Sequence, residues 1–249
     1  QRWPVDAADD DIKMSKMVSA KSVWEDIVSA AHANAEPGIL FWDSILSKTP
    51  ANIYEKEGFG ITSTNPCSEL VLSPYDSCRL LLLNVTSFVK APFTDTAYFD
   101  FRLFSTMTKK AQRLMDDLVE IEIEHIDRII EKIDADKEPE DVKRAERDLW
   151  GKIRTAATTG RRTGLGMTGM GDTLAMLNMQ YGSDTSISMI EDITKELAIS
   201  SYTESCNLAK ERGAFEVYDF DRETGHPFME RLFEAAPELR ELHKKHGRR

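Results

Sequence analysis

A chain of 249 residues, 41% hydrophobic and 30% charged, is long enough to bury a substantial core as one large domain or two small ones. Its formal charge of −11 argues against broad nucleic-acid binding, which needs a basic face, but leaves room for a small phosphorylated ligand held by a local set of donors. The densest apolar run, residues 80–83, is far too short to span a bilayer, so no membrane partner is expected.

Gln1 opens the chain with neither an initiator methionine nor a signal-like apolar stretch, as expected of a cytoplasmic protein or a piece excised from one. Residues 1–11 are a polar, acidic lead-in. Over 12–34 the residues Met14, Met17, Val18, Val23, Trp24, Ile27, Val28 and Ala31 recur at helical spacing and predict one or two amphipathic helices. Glu36-Pro37-Gly38 ends that run, Ile39 to Trp42 form a short apolar element, and residues 47–63, with Pro50, Gly58 and Gly60, read as a loop.

That loop delivers the chain to Thr64-Asn65-Pro66-Cys67-Ser68-Glu69. In an extended chain alternate side chains share a face, so Asn65, Cys67 and Glu69 would present an amide, a thiol and a carboxylate together. Pro66 biases Asn65 away from the helical region. The plainer alternative is a turn with a buried cysteine.

Residues 70–72 are strand-like, Ser73-Pro74-Tyr75-Asp76 signals a turn, and 78–85 is a second strand. Leu80 to Leu83 are apolar at every position, as in a strand of an α/β protein covered on both faces. A tight hairpin through Pro74 would pair Cys78 near Val71 and leave Cys67 about 13 Å away at the usual rise per residue. Joint action of the two sulfurs therefore needs Cys67 on a loop that folds back.

Residues 101–133 predict the longest helix, with Leu103, Met107, Leu114, Leu118, Ile121, Ile126, Ile129 and Ile130 on its apolar side. An acidic break over 134–139 precedes a helix over 140–157. His125 reads as a surface or boundary residue, since no second ligand stands at i+3 or i+4, and no metal site is expected. The tract from Thr159 to Asp172 contains GxGxxG at Gly164, Gly166 and Gly169, but a helix and Arg161-Arg162 precede it instead of the strand a dinucleotide fingerprint needs. Its glycines fit a strand that approaches its neighbours closely, with Asp172 capping a helix over 173–178. A helix over 186–212 stops at Gly213 and holds Cys206 as a small buried residue. Three cysteines without a CxxC pair fit a reduced compartment. Residues 214–249 read as a short extended piece and polar helix broken at Pro227 and Pro237, ending in a basic solvated tail over 244–249.

Five stretches in order, residues 35–41 (AEPGILF), 64–69 (TNPCSE), 77–80 (SCRL), 160–166 (GRRTGLG) and 208–215 (LAKERGAF), resemble the catalytic chain of ribonucleotide reductases, most closely the adenosylcobalamin-dependent class. The similarity runs from about Ser22 to Leu232.

The resemblance implies a partial ten-stranded α/β barrel, helix-rich, with residues 1–249 as its central section and the cysteine of the NPCxE tract on a loop at the barrel centre. It implies that Cys67 becomes a thiyl radical that takes the 3′ hydrogen of a ribonucleotide. Glu69 accepts the 3′ hydroxyl proton, Asn65 holds the ribose hydroxyls, and Cys78 is one of two thiols that reduce the 2′ position. These roles suit the groups: a carboxylate within hydrogen-bond reach is a natural base, a dithiol supplies two electrons by forming a disulfide, and the radical itself must come from a cofactor. The implied cofactor is adenosylcobalamin, with an external dithiol such as thioredoxin as reductant; no residue is assigned to hold the cofactor. Implied partners are the ribonucleotide substrate, a nucleotide effector and a complementary fragment of the same enzyme.

Three departures stand out. Ser68 occupies a place where glycine is common in the family, the other reducing cysteine has no counterpart in Cys206, and no phosphate-binding Gly/Ser/Thr loop is found. The chain is therefore expected to lack turnover alone. Two alternatives stay open: the same reduction with a radical from a separate metal-containing subunit, or a non-catalytic interaction module.

Overall fold

Most helices in the structure, a computed structural model that describes Arg2–Trp3 and residues 14–249, begin or end where a side chain or a backbone turn satisfies groups the helix leaves open. The chain divides into two compact units, Gln1–Ile45 and Leu46–Arg249. In the first, strands β1 (Arg2–Trp3) and β2 (Met14–Ser15) pair antiparallel. Helix α1 (Ala20–Asn34) starts where the Ser19 hydroxyl accepts from the Ser22 N–H, and it stops at Ala35 in the left-handed conformation. The helix thus begins well inside the predicted 12–34 run; Ile12 and most of the acidic lead-in lie outside the described residues. No residue of α1 is buried, so its periodicity marks a face that the first unit leaves open. Ile39, Leu40 and Phe41 are exposed coil, and Trp42 opens α2 (Trp42–Lys48), which crosses the division between the units.

In the second unit, the predicted loop over 47–63 contains a 3₁₀ segment (Pro50–Glu57) with Pro50 at its first position and Gly58 as its left-handed stop. Strands β3 (Ser63–Thr64) and β4 (Val71–Leu72) then form an antiparallel pair. No hairpin forms through Pro74: β4 pairs backwards with β3, and β5 (Leu80–Asn84) pairs parallel with a strand more than eighty positions on. A second 3₁₀ segment (Val85–Phe88) leads to the antiparallel pair β6 (Val89–Lys90) and β7 (Tyr98–Phe99).

Helices α3 (Phe101–Ala135) and α4 (Glu140–Gly160) match the predicted pair in place and outlast it by a few residues. The packed side of α3 differs from expectation. Phe104, Thr108, Ala111, Gln112, Met115, Asp116 and Val119 are buried, whereas Leu103, Met107, Leu114, Leu118 and Ile121 are exposed. Ile126 is buried as expected, but hydrophobicity alone misplaces the rest of the face because Thr108, Gln112 and Asp116 are buried beside Phe104 and Met115, the charge of Asp116 being paired with three arginines.

Strand β8 (Gly164–Thr168) lies parallel to β5 with Leu80 opposite Gly164 and Leu82 opposite Gly166. A β-carbon on Gly164 would sit 2.4 Å from the Arg79 carbonyl oxygen, so the glycines serve close approach, as their spacing suggested. Helix α5 (Met170–Met176) follows, capped at Gly169 instead of by Asp172, which lies in its first turn. Helix α6 (Asp184–Arg212) ends at Gly213, whose N–H returns to Ala209. Helices α7 (Phe220–Glu223), α8 (Pro227–Ala235) and α9 (Pro237–His246) complete the unit, with Pro227 and Pro237 at first helical positions, where no backbone donor is missed.

The main apolar cluster joins Val85, Phe88, Phe99, Phe104, Leu177 and Ile193, with Leu83 and Met167 packed against it. A second gathers Cys206, Met229, Leu232, Phe233 and Leu239. Only one side of β5 meets this core: Leu80 and Leu82 remain 47% and 55% exposed, so the expectation of a strand covered on both faces does not hold here. Among the described residues the strands form four two-stranded pairs, an α/β arrangement rich in helix, without closing into a barrel. No helix among them is long and apolar enough to cross a membrane.

Candidate active site

Asn65 begins a turn, not an extended tract. The Ser68 N–H donates to the Asn65 carbonyl at 3.0 Å, closing a four-residue turn with Pro66 in its second place, and Ser68 has φ 69°. Proline's fixed φ suits that place, and asparagine favours the first, so the bend is written in the Asn-Pro pair itself. The turn is the tip of the β3–β4 hairpin. Asn65 and Leu70 bond twice there: the Asn65 N–H donates to the Leu70 carbonyl at 3.2 Å, and the Leu70 N–H donates to the Asn65 side-chain Oδ1 at 3.1 Å. The single shared face for Asn65, Cys67 and Glu69 is therefore absent. Asn65 is buried, while Cys67 and Glu69 are exposed.

The hairpin brings its Asn65 end, though not demonstrably the Cys67 sulfur, to the Cys78 segment. With Oδ1 committed to the Leu70 N–H, the other end of the Asn65 amide is turned towards Cys78, and Nδ2 lies 3.8 Å from its sulfur. Thiol and amide from stretches thirteen positions apart thus meet. Cys78 itself is exposed, two residues before β5 begins at Leu80.

Around this meeting point the chain is fastened by two arginines that bracket one acid. Arg162 Nη2 donates to Ser73 Oγ at 2.7 Å and to the Phe59 carbonyl at 3.1 Å, and Nη1 lies 3.2 Å from Asp76 Oδ2. Arg79 pairs with Glu122 on α3 and donates through Nη1 to the Arg162 carbonyl at 2.8 Å. Burial pushes the Asp76 carboxyl above its ordinary range despite Arg162 and Arg79, and burial likewise lowers Arg162.

A cavity of about 360 Å³ opens beside these groups, lined by Glu69, Arg79, Arg161, Arg162, Arg248 and Arg249 among others. Of the four expected site residues, Glu69 lines it; Asn65, Cys67 and Cys78 do not. Its guanidiniums are each backed by a carboxylate: Glu122 behind Arg79, Asp116 behind Arg161 and Arg249, Asp76 behind Arg162, and Glu223 behind Arg248.

The expected solvated basic tail contributes two of these arginines. Arg249 pairs with Asp116 and Glu120, and Arg248 lies over the rings of Tyr202 and Phe215 while binding Glu223 at 2.7 Å. Burial opposes the charge on Glu223, but Arg248, His243 and Tyr54 outweigh it and hold the carboxyl at about 2. Cys206 sits in the core beside this group, where burial pushes its thiol up to about 12; it is unsuited to act as a thiolate.

Sequence reading missed Asp76, Ser73 and Arg162 as a group. Arg161-Arg162 was a visible signal, but its partners lie about ninety positions earlier, and no local pattern connects them.

A family model described as "Ribonucleotide reductase, barrel domain" matches residues 5–249. A vitamin B12-dependent ribonucleoside-diphosphate reductase of Thermoplasma acidophilum is 31% identical over 206 residues, covering 83% of this chain and 23% of that protein. A Mycobacterium tuberculosis protein of the same name is 27% identical over 211 residues, covering 84% of this chain and 26% of its own length. The ribonucleoside-diphosphate reductase subunit alpha of Chlamydia pneumoniae is 23% identical over 214 residues, covering 84% and 17%. The chain thus spans about a quarter or less of the curated relatives it matches.

Proposed function

This chain belongs to the ribonucleotide reductase family through its barrel domain, and from that premise we propose that residues 1–249 form the central section of a catalytic chain that reduces ribonucleoside diphosphates. The observation that carries the reading is the approach of Asn65 Nδ2 to Cys78 Sγ, which draws the NPCxE tract and the second cysteine stretch into one neighbourhood. In the assembled enzyme the two parallel strands β5 and β8 belong to a ten-stranded barrel, and the β3–β4 hairpin is the central loop. The bare Leu80 and Leu82 face supports this, because an all-leucine strand matches a sheet covered on both sides.

In the proposed reaction the Cys67 sulfur, as a thiyl radical, takes the hydrogen atom from the ribose 3′ carbon. Glu69 accepts the 3′ hydroxyl proton, and Asn65 orients the hydroxyls. The 2′ hydroxyl leaves as water with a proton from one of two thiols, which pass a hydrogen to the 2′ carbon and one further electron to the 3′ ketone as they become a disulfide, while Glu69 returns its proton to the 3′ oxygen. Cys78 is one thiol, and Cys206, buried in a separate cluster, is not the other. The hydrogen on Cys67 then returns to the 3′ carbon, and an external dithiol such as thioredoxin reduces the disulfide.

Relatives named as vitamin B12-dependent support a cobalamin, with adenosylcobalamin as the form that supplies the initiating radical. Cys67 fits that role as an exposed sulfur open to a group from outside the chain. The similarity to a subunit alpha favours one alternative, a radical delivered by a separate subunit. The test joins the chain with the flanking segments of its parent enzyme and supplies adenosylcobalamin, a ribonucleoside diphosphate and a dithiol. Deoxynucleotide formation that vanishes in Cys67→Ala and Cys78→Ala is the expected result. Formation that persists in Cys67→Ala refutes the thiyl role, and turnover without cobalamin selects the alternative.

A further inference from the structure

Arg161 and Arg162 are adjacent in sequence, yet they serve different parts of the fold. Arg161 ends α4 in the left-handed conformation, φ 46° and ψ 44°. The chain turns there, so Arg161 reaches Asp116 on α3 while Arg162 reaches the thiol-bearing segments.

We propose that Arg162 is a positioning residue that fixes the Cys67 hairpin and the Cys78 segment in one mutual arrangement. The proposal rests on the reading of Cys67 and Cys78 as the reacting thiols. The guanidinium holds four points at once. Its Nη2 binds the Ser73 hydroxyl at 2.7 Å and the Phe59 carbonyl at 3.1 Å, and its Nη1 reaches the Val71 carbonyl at 3.4 Å and Asp76 Oδ2 at 3.2 Å.

Each point lies on a path to a sulfur. Val71 is the register partner of Thr64, the residue before Asn65, so a hold on Val71 fixes the base of the Cys67 turn. Asp76 stands two positions before Cys78 and accepts from the Ser77 N–H at 2.8 Å, so a hold on Asp76 fixes the approach to Cys78. Ser73 lies between them and donates in turn to the Phe59 carbonyl at 2.6 Å. The arrangement closes on itself, because Arg79, the residue after Cys78, donates to the Arg162 carbonyl.

Only a planar fork with several donors can span a hydroxyl, two carbonyls and a carboxylate; an ammonium at the same place meets fewer of them in fixed geometry. Asp76 has 3% of its side chain exposed and Arg162 19%, so solvent does little to replace a lost partner. Backbone bonds close the hairpin and its tip, whereas the Asn65 amide and the Arg162 guanidinium tie it to the segment before Cys78.

Nitroxide labels placed on Cys67 and Cys78 in a Cys206→Ala background read the arrangement directly, without turnover. One narrow interspin distance distribution is expected for the parent chain. Arg162→Ala is expected to widen it by about twofold or more, as local freedom replaces a fixed geometry, with Arg162→Lys in between. Arg161→Ala, which breaks a buried pair on the other side of the turn, is expected to leave the width unchanged, although it lowers the melting temperature. A folded Arg162→Ala chain with unchanged width overturns the proposal, as does equal broadening in Arg161→Ala. Should Arg162→Ala not fold, Ser73→Ala and Asp76→Asn each remove one of its partners, and unchanged width in both is equally fatal. Because the measurement uses no substrate, its failure is distinct from failure of the proposed reaction, which turnover of Cys67→Ala decides.

Discussion

Asp116 and Asp76 are buried alike, with 2% and 3% of their side chains exposed, yet the fold treats their protons in opposite ways. Asp116 receives Arg161 and Arg212 at 2.6 Å and Arg249 at 2.9 Å, and these outweigh the burial that opposes its charge, holding the carboxyl below its ordinary range. Asp76 has Arg162 at 3.2 Å and Arg79 at 3.8 Å, Glu122 repels it, and burial prevails to raise it. Depth alone therefore does not decide ionisation; the number and closeness of guanidiniums do. Asp116 joins α3 to the end of α4, to α6 and to Arg249, whereas Asp76 fastens a loop beside the candidate thiols.

The largest effect is expected at the first of these acids. Asp116→Ala leaves three arginines with one carboxylate fewer and should cost about 3–5 kcal/mol in urea unfolding. A loss no greater than that of an Asp76 variant would break the contrast. Glu223 extends it, because its carboxyl is completely buried and held at about 2. A folded value below the unfolded one adds stability above about pH 4.5 that disappears as pH falls towards 2. The unfolding free energy of Glu223→Gln should thus lie about 3 kcal/mol below that of the parent chain at neutral pH and meet it near pH 2.

Gly164→Ala tests the Asp76 side through the backbone, since the new β-carbon meets the Arg79 carbonyl at 2.4 Å. Forcing the strands apart should cost about 2 kcal/mol by thermal or urea unfolding. The smallest effect belongs to Asp76→Asn, which keeps an acceptor for the Ser77 N–H and resembles the neutral carboxyl that burial favours, so it should raise stability by no more than about 1 kcal/mol at neutral pH. Its pH dependence runs opposite to that of Glu223. With the folded value raised, neutral Asp76 favours the fold, so the parent chain should gain on Asp76→Asn as pH falls through the carboxylate range.

Much of the helical framework was legible in the sequence. Ranges for α3, α4 and α6 follow from periodicity, and Gly213 marks the end of α6 because a residue with φ near +90° suits glycine. The buried face of α3 was not legible, since Thr108, Gln112 and Asp116 enter the interior with partners supplied by distant segments. Strand pairing failed for the same reason: β5 meets β8 across two long helices, and nothing local to Leu80 announces Gly164. Of the candidate site, Cys67, Cys78, Asn65 and Glu69 stood out by residue type. The turn at Asn65-Pro66, the plainer alternative to the extended reading, is the one the structure takes, with Cys67 exposed instead of buried.

Ser68 carries a consequence for how the hairpin tip behaves when nothing is bound. At φ 69° it occupies a narrow conformational basin, in a place where glycine would have several wide ones open to it. The β-carbon makes the bend less comfortable but also less free to wander. The tip therefore enters any encounter with much of its disorder already surrendered, and a Ser68→Gly chain would have to lose that disorder at the moment of docking.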